Sequence, residues 1–260
     1  MHDDISVVIT TFNSSNFIEK TLNSVFDQSL KVKKIFIIDD NSSDLDKLKI
    51  ITRKFNKKKE VKITLISNKE NLGPGHSRNI GWSKCQTKYI AFLDDDDYWY
   101  RDKLKYQLDI LKKKKTIKLV AAKKKSLNKP LNINMSFGLK LIKLSFVKLL
   151  FKNSIATSSV VLRTDVKDRF LSEFYAEDYY LWLSILKKKY ECYLINDNLC
   201  TEMITNKKIK LSGDILNMHR GVRNVLNKFY NDNYINNMLI NFAKLFNFFK
   251  YIIKKVYINI

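Results

Sequence analysis

Four short apolar runs constrain this chain more than any other feature. "ISVVITTF" (5–12), "KKIFIIDDNSSD" (33–44), "VKITLISN" (61–68) and "KYIAFLD" (88–94) are rich in β-branched residues, and each closes on polar ones. Continuous apolar runs of this length read as buried strands. Helical patterns fill the intervals. "NSSNFIEKTLNSVFDQ" (13–28) sets Phe17, Ile18, Leu22, Val25 and Phe26 at helical spacing, with Ser14 or Ser15 as its cap. "DLDKLKIITRKF" (44–55), a short helix behind the Gly/Pro turn of 68–85, and "YRDKLKYQLDILKKKK" (100–115) follow. Strands alternating with helices require right-handed crossovers, hence an α/β fold with a largely parallel sheet. Such sheets bind ligands beyond the carboxyl ends of their strands. "TTFN", "DDNSSD" and "DDDDYW" all fall there, so one rim carries three polar clusters.

The second half is less regular. "KLVAA" (118–122), "SSVVLR" (158–163) and "ECYLIND" (191–197) read as strands. A helix lies within 170–190, and from about 213 the chain reads as helical to its end. The expected division is an α/β domain over 1–205, with halves meeting near 115, and a helical extension over 206–260.

A hydrophobic content of 45% in 260 residues supports a sizeable core. The net charge of +22 points to an anionic partner, or equally to solvated lysines in a Lys-, Asn- and Ile-rich composition. No nucleic-acid-binding module is recognisable, and the acidic clusters would repel phosphate unless metal is bound. Cys85, Cys192 and Cys200 are odd in number and form no CxxC pair, as expected of reduced structural thiols. The N-terminus lacks a signal-peptide pattern, and no uncharged apolar run reaches membrane-span length; a cytoplasmic protein is expected.

Asp94, Asp95, Asp96 and Asp97 stand between an apolar strand and the aromatic pair Tyr98 and Trp99. Adjacent carboxylates repel, and partly buried ones need cations or raised pKa values. A solvated acidic loop is one answer. A divalent metal is another, because Mg²⁺ or Mn²⁺ is usually held by one or two carboxylates plus substrate phosphates. An EF-hand is excluded, since the loop has no central Gly and no Glu at its twelfth position.

"SVVITTFNSSNFIEKTLNSVFDQS", "IFIIDDNSSD", "NLGPGHSRNIGWSKCQTKYIAFLDDDDYW" and "EDYYLWLSIL" together resemble the family 2 glycosyltransferases of GT-A fold, in order and spacing, over roughly residues 4 to 200. The resemblance implies inverting transfer of a sugar from a nucleotide diphosphate, with Mn²⁺ or Mg²⁺ at a D-x-D motif. It makes the first half of the domain the nucleotide-sugar half and the second the acceptor half. Thr10, Phe12 and Asn13 would line the nucleotide pocket, with Phe12 where the family often has Tyr. Asp40 would accept a hydrogen bond from the base, which favours a UDP-linked donor. Arg78, preceded by Ser77 where the family more usually has Ala, would turn its fork to the diphosphate or sugar. Asp94 and Asp96 form the D-x-D pair: Asp96 on the metal, Asp94 on ribose or metal. Asp95 fills the variable position, and Asp97 is expected to cap the next helix. Asp178 would be the base that takes the acceptor hydroxyl proton, with Glu177 as its substitute. The family's usual acceptors are surface glycans and their lipid-linked precursors.

A nucleotidyltransferase also brings strand-end carboxylates to a metal, but "TTFNSSNF" lacks the Gly-rich basic loop that chemistry needs. His219 and Arg220 match no motif well and read as surface residues. The tail, 234–260, draws a narrow polar stripe of Asn237, Asn241, Lys244, Asn247, Lys250 and Lys254 on an otherwise apolar helix. It has three possible seats: an anionic membrane surface, its own catalytic domain, or a second copy of the chain.

Overall fold

The computed structural model describes residues 4–126, 140–203, 213–231 and 236–258. The first half contains β1 (Ile5–Thr11), α1 (Ile18–Phe26), β2 (Lys34–Asp39), α2 (Leu45–Lys58), β3 (Ile63–Ser67), α3 (Pro74–Ser83), β4 (Tyr89–Asp94), β5 (Asp97–Trp99) and α4 (Lys103–Lys113). The second contains β6 (Ile117–Ser126), β7 (Leu141–Lys143), α5 (Phe146–Phe151), a 3-10 turn (Thr157–Ser159), β8 (Val161–Arg163), α6 (Glu177–Lys187), β9 (Glu191–Glu202), α7 (Ile215–Asn231) and α8 (Asn237–Ile258).

The described strands make one sheet in the order β3-β2-β1-β4-β8-β6-β9-β5, with β7 also beside β9. The four strands of the first half that carry helical crossovers are parallel, as expected. Beyond β4 the sheet is mixed. β8 runs antiparallel to β4 and β6, and β5 and β7 run antiparallel to β9. Only β6 and β9 are parallel there.

Both faces of the sheet are covered, which is why its strands read as unbroken apolar runs. Val8, Phe36, Ile38 and Phe92 point into a core shared with Trp82 of α3 and Trp182 of α6. Their neighbours Val7, Ile9, Ile37 and Leu93 point to the other face, against α1, α2 and α4. Trp182 is fully buried in this core. Cys85, Cys192 and Cys200 are free thiols.

The C-terminal helices join the first of these cores through Val225, Leu226 and Phe229 of α7 and Ile240 and Ala243 of α8. The expected boundary at 205/206 lies outside the described residues, as do 234–235 and 259–260 of the tail. α8 is oriented against the usual rule for a surface helix. Asn247 and Lys250 of its polar stripe are half-buried on the protein side. Phe242, Leu245, Phe249 and Ile253, each more than half exposed, face outward.

Some local expectations fail for identifiable reasons. α1 starts only at Ile18, with no side-chain cap. The Ser14 hydroxyl donates instead to the Phe12 carbonyl at 2.9 Å, and the Ser15 N–H donates to Asp44 Oδ2 at 2.9 Å. Asp97 caps no helix; it lies on β5, opposite Glu202 of β9. Residues 158 and 159 belong to the 3-10 turn and not to a strand.

Candidate active site

The register of the parallel strands builds the rim. Thr10 lies opposite Asp94, and Thr11 opposite Asp39, so the carboxylates that end β2 and β4 flank the end of β1. Two loops are then tied across that rim. Asn13 takes a left-handed backbone (φ 52°), which Asn tolerates better than most residues. Its Oδ1 accepts from the Ser43 N–H at 2.8 Å, and its own N–H donates to Ser42 Oγ at 2.9 Å. The Phe12 N–H donates to Asp95 Oδ2 at 3.2 Å, leaving the Phe12 ring 44% exposed on the rim.

Asp40 is buried and organises the stretch leading into α3. Its carboxylate accepts from the Gly73 N–H at 2.8 Å, the Leu72 N–H at 3.0 Å and Asn68 Nδ2 at 2.8 Å. Asn68 also donates to Ser77 Oγ at 2.9 Å, a bond that Ala at this position could not make. Asp39 beside it is fully buried, with Oδ2 accepting the Ser67 hydroxyl at 2.7 Å.

α3 then aims Arg78 at the centre of the site. Gly75 permits this: a Cβ there would overlap the Leu171 carbonyl oxygen and meet Glu177 Cγ at 2.7 Å, so only glycine lets α3 approach the start of α6. The Arg78 fork is filled from within the chain, by Glu177 Oε1 at 2.6 Å and Asp94 Oδ1 at 2.8 Å. Burial works against its charge, but Asp94 and Glu177 outweigh burial and hold Arg78 protonated more firmly than usual.

Asp94 has a second partner. Ser158 Oγ donates to its Oδ2 at 2.8 Å and accepts from its backbone N–H at 3.1 Å. Burial would raise the Asp94 pKa, but Arg78 and Lys124 prevail and hold it at about 2. Glu177 behaves oppositely. Burial and repulsion from Asp178 push it up to about 7, against the pull of Arg78. One guanidinium thus faces three carboxylates, and burial opposes the charge on both Glu177 and Asp178. Asp97, fully buried, is also pushed up to about 7 by burial, although Lys124 donates to it at 2.7 Å. Asp96 is half-buried in the turn between β4 and β5, with its carbonyl accepting the Met203 N–H at 2.9 Å.

Asp178 is the second residue of α6, reached through Ala176, whose φ of 60° is a strained left-handed conformation for a residue other than glycine. Thr157 Oγ1 donates to its Oδ2 at 3.0 Å, and the Tyr179 N–H donates to Oδ1 at 2.6 Å. Burial nonetheless raises its pKa above the ordinary value, against Arg78 and those two donors. Asp178 lines a cavity of about 320 Å³ between α5, α6, α7 and α8. His219 is not a plain surface residue. It lines the same cavity, bonded to Asn247 Nδ2 at 3.0 Å and stacked on Tyr251 at 4.6 Å.

The structure therefore gathers Arg78, Asp94, Glu177 and Asp178, ties Phe12 to Asp95, and sets Asn13 and Asp40 in the flanking loops. Thr157, Ser158 and Lys124 are additional positioning residues. A Ser/Thr cluster before an apolar run was the only trace of Thr157 and Ser158 in the sequence, and Lys124 lay within a lysine run. Asp94 and Asp96 are hard oxygen donors of the kind Mg²⁺ and Mn²⁺ prefer. No group of three or more metal-binding side chains occurs among the described residues. Each Asp94 oxygen already accepts one bond, Oδ1 from Arg78 and Oδ2 from Ser158, so a metal would have to share those oxygens or displace these partners.

Solved structures share this architecture. S. aureus TarS 1-349 in complex with UDP-GlcNAc matches with a TM-score of 0.68 at 19% identity, over 94% of this chain and 70% of that one. For TarS 1-349 in complex with UDP the values are 0.62 and 21%, over 87% of this chain and 65% of that one. Mannosyltransferase PcManGT from Pyrobaculum calidifontis, in complex with GDP-Man and Mn²⁺, matches at 0.67 and 14%, over 95% and 73%. The fold is that of the GT-A glycosyltransferases.

Sequence relatives narrow the class. The Escherichia coli UDP-Glc:alpha-D-GlcNAc-diphosphoundecaprenol beta-1,3-glucosyltransferases WfgD and WfaP are 30% and 33% identical over 187 and 185 residues, 70% and 71% of this chain and 70% of each relative. Residues 6–168 match the model of Glycosyl transferase family 2, and the chain belongs to that family; it is a glycosyltransferase.

Proposed function

We propose that the chain is an inverting glycosyltransferase that moves a sugar from a UDP-linked donor to a hydroxyl of a lipid-linked glycan precursor. One observation carries this reading. Consecutive residues of one 3-10 turn, Thr157 and Ser158, hold Asp178 on the cavity side and Asp94 on the nucleotide side. A base and a donor-side carboxylate fixed by one rigid turn suit in-line displacement.

In this reading Asp178 takes the acceptor hydroxyl proton as the oxygen attacks the anomeric carbon, and the bond to the diphosphate breaks. Its raised pKa brings it closer to the operating pH, where a carboxylate base is more effective. Thr157 and the Tyr179 N–H keep its oxygens oriented. Arg78 keeps Asp94 ionised and in place. Thr10, Phe12, Asn13, Asp40 and Asp95 shape the nucleotide side. Mg²⁺ or Mn²⁺ held by Asp96 and Asp94 would supply positive charge to the departing diphosphate.

The relatives' action on GlcNAc-diphosphoundecaprenol supports the acceptor class. The outward apolar face of α8, with Lys255 in its last turn, supports peripheral attachment to an anionic membrane. Among the described residues no helix is long and apolar enough to cross one.

The test is release of UDP from a panel of UDP-sugars in the presence of a GlcNAc-diphosphate lipid. Asp178→Asn should lower turnover about a hundredfold or more while UDP binding is unchanged. Mn²⁺ should tighten UDP binding in the native chain and not in Asp96→Ala. Equal UDP affinity with Mn²⁺ and with EDTA would remove the metal from this scheme.

A further inference from the structure

The cavity beside Asp178 has a chemistry that sugar transfer alone does not require. Asp178 is the one acid among its described lining residues. Opposite in sign are Lys250 and Lys254 of α8, four residues and so about 6 Å apart along one helix face. Neither lysine forms an ion pair among the described residues. Lys250 instead makes a long contact, 3.4 Å, to the Phe151 carbonyl, and lies over the Phe246 ring at 5.5 Å. Burial and the nearby charges of Lys254 and Lys152 work against its protonation. Lys250 is half-buried and Lys254 exposed on the same cavity, and two like charges on one helix face, neither ion-paired among the described residues, suit an anion that arrives from outside.

The remaining lining supports a built site. Asn247 Nδ2 donates to His219 Nδ1, which leaves the other ring nitrogen to carry the proton, and Tyr251 stacks on the imidazole at 4.6 Å. The His219 ring is therefore a fixed polar wall. Leu150, Met218 and Val222 supply an apolar floor. Across α8 from this cavity is the helix's exposed aromatic and aliphatic face. A molecule with a sugar hydroxyl, a phosphorylated linkage and an apolar chain would meet each group in its own surroundings.

We infer that Lys250, Lys254 and His219 form a subsite that reads the diphosphate of the acceptor, placing α8 in the acceptor site as well as on the surface. This rests on the lipid-linked acceptor reading. The role of the lysines is recognition of phosphate, which an acceptor diphosphate or a phospholipid headgroup could each present; the acceptor is the assignment here, because both lysines share the cavity with Asp178.

The experiment is equilibrium binding to the full-length chain with saturating UDP. One probe is N-acetylglucosamine joined through a diphosphate to a short alkyl chain; the other is the same alkyl glycoside without phosphate. The native chain should hold the diphosphate probe at least about tenfold tighter. Lys250→Gln and Lys254→Gln should each weaken it about tenfold, leaving UDP and the phosphate-free probe unaffected, and Lys250→Arg should restore most of the loss. Equal binding of the two probes by the native chain, or no effect of either Gln variant, overturns the assignment. So does a result in which the Gln variants lose binding to phosphatidylglycerol vesicles while keeping the soluble probe, because the lysines then serve headgroups. The underlying reading fails separately. A native chain that binds the diphosphate probe through these lysines but transfers no sugar to it keeps the anion site and loses the acceptor.

Discussion

Single hydrogen bonds decide what the carboxylates of this site can do. Asp178 must be ionised to act as a base, and its pKa is raised by burial and lowered by the Thr157 hydroxyl. Removing that donor with Thr157→Val takes away a bond made only to the ionised form, so the pKa rises further. The acid limb of kcat/KM should therefore move to higher pH, with activity recovered at alkaline pH; a pH–rate profile reads this directly. A limb shifted the other way, or unmoved, would show that another group is the base. Glu177 yields a second expectation. Its folded pKa of about 7 exceeds its unfolded value, so its contribution to stability is complete below about pH 4 and is lost as pH rises through 7. Glu177→Gln removes that part of the slope. Melting temperatures between pH 5 and 8 should fall less in the variant than in the native chain.

At the scale of elements, close approach is the controlling feature. α7 lies against the segment leading into α6, where a Cβ on Gly221 would meet Tyr175 Cβ and its carbonyl oxygen at 2.7 Å. Gly221→Ala should cost about 1–3 kcal/mol in urea denaturation and raise the acceptor KM more than the UDP dissociation constant. Gly213→Ala, with open space around it, is the control and should be close to neutral. What the sequence made legible follows the same division. β1 to β4, α3, α6 and the C-terminal helices show their own periodicity, and the polar clusters at the strand ends mark the rim. β5 and β7 are three residues each and exist through pairing with β9, far along the chain. "SS" at 158–159 is polar and runs straight into an apolar stretch, so it read as the start of the strand 158–163. It turns because Ser158 bonds Asp94 and Thr157 bonds Asp178, contacts that no local pattern announces. Arg78 was legible as a site residue, but its engagement with two carboxylates required α3 and α6 to be placed side by side.

For the whole molecule, the question is where a chain of charge +22 with an outward apolar helix comes to rest. Phe242, Phe249 and Ile253 are 57%, 55% and 54% exposed, on the side of α8 away from the cavity. An aromatic and aliphatic face of this kind can enter a headgroup boundary, and each lysine near an anionic surface adds about 1 kcal/mol, falling with salt. Lys250 and Lys254 both line the cavity, so the lysine left for lipid at the exposed end of α8 is Lys255. Full-length chain should co-sediment with anionic vesicles at low salt and less so at high salt. Replacing Phe242, Phe249 and Ile253 together by Gln should abolish sedimentation without changing UDP affinity. Sedimentation that survives the triple substitution would place the contact on basic surface elsewhere. A native chain that stays in the supernatant but runs as a dimer, and becomes monomeric in the variant, would make this face the contact between two copies.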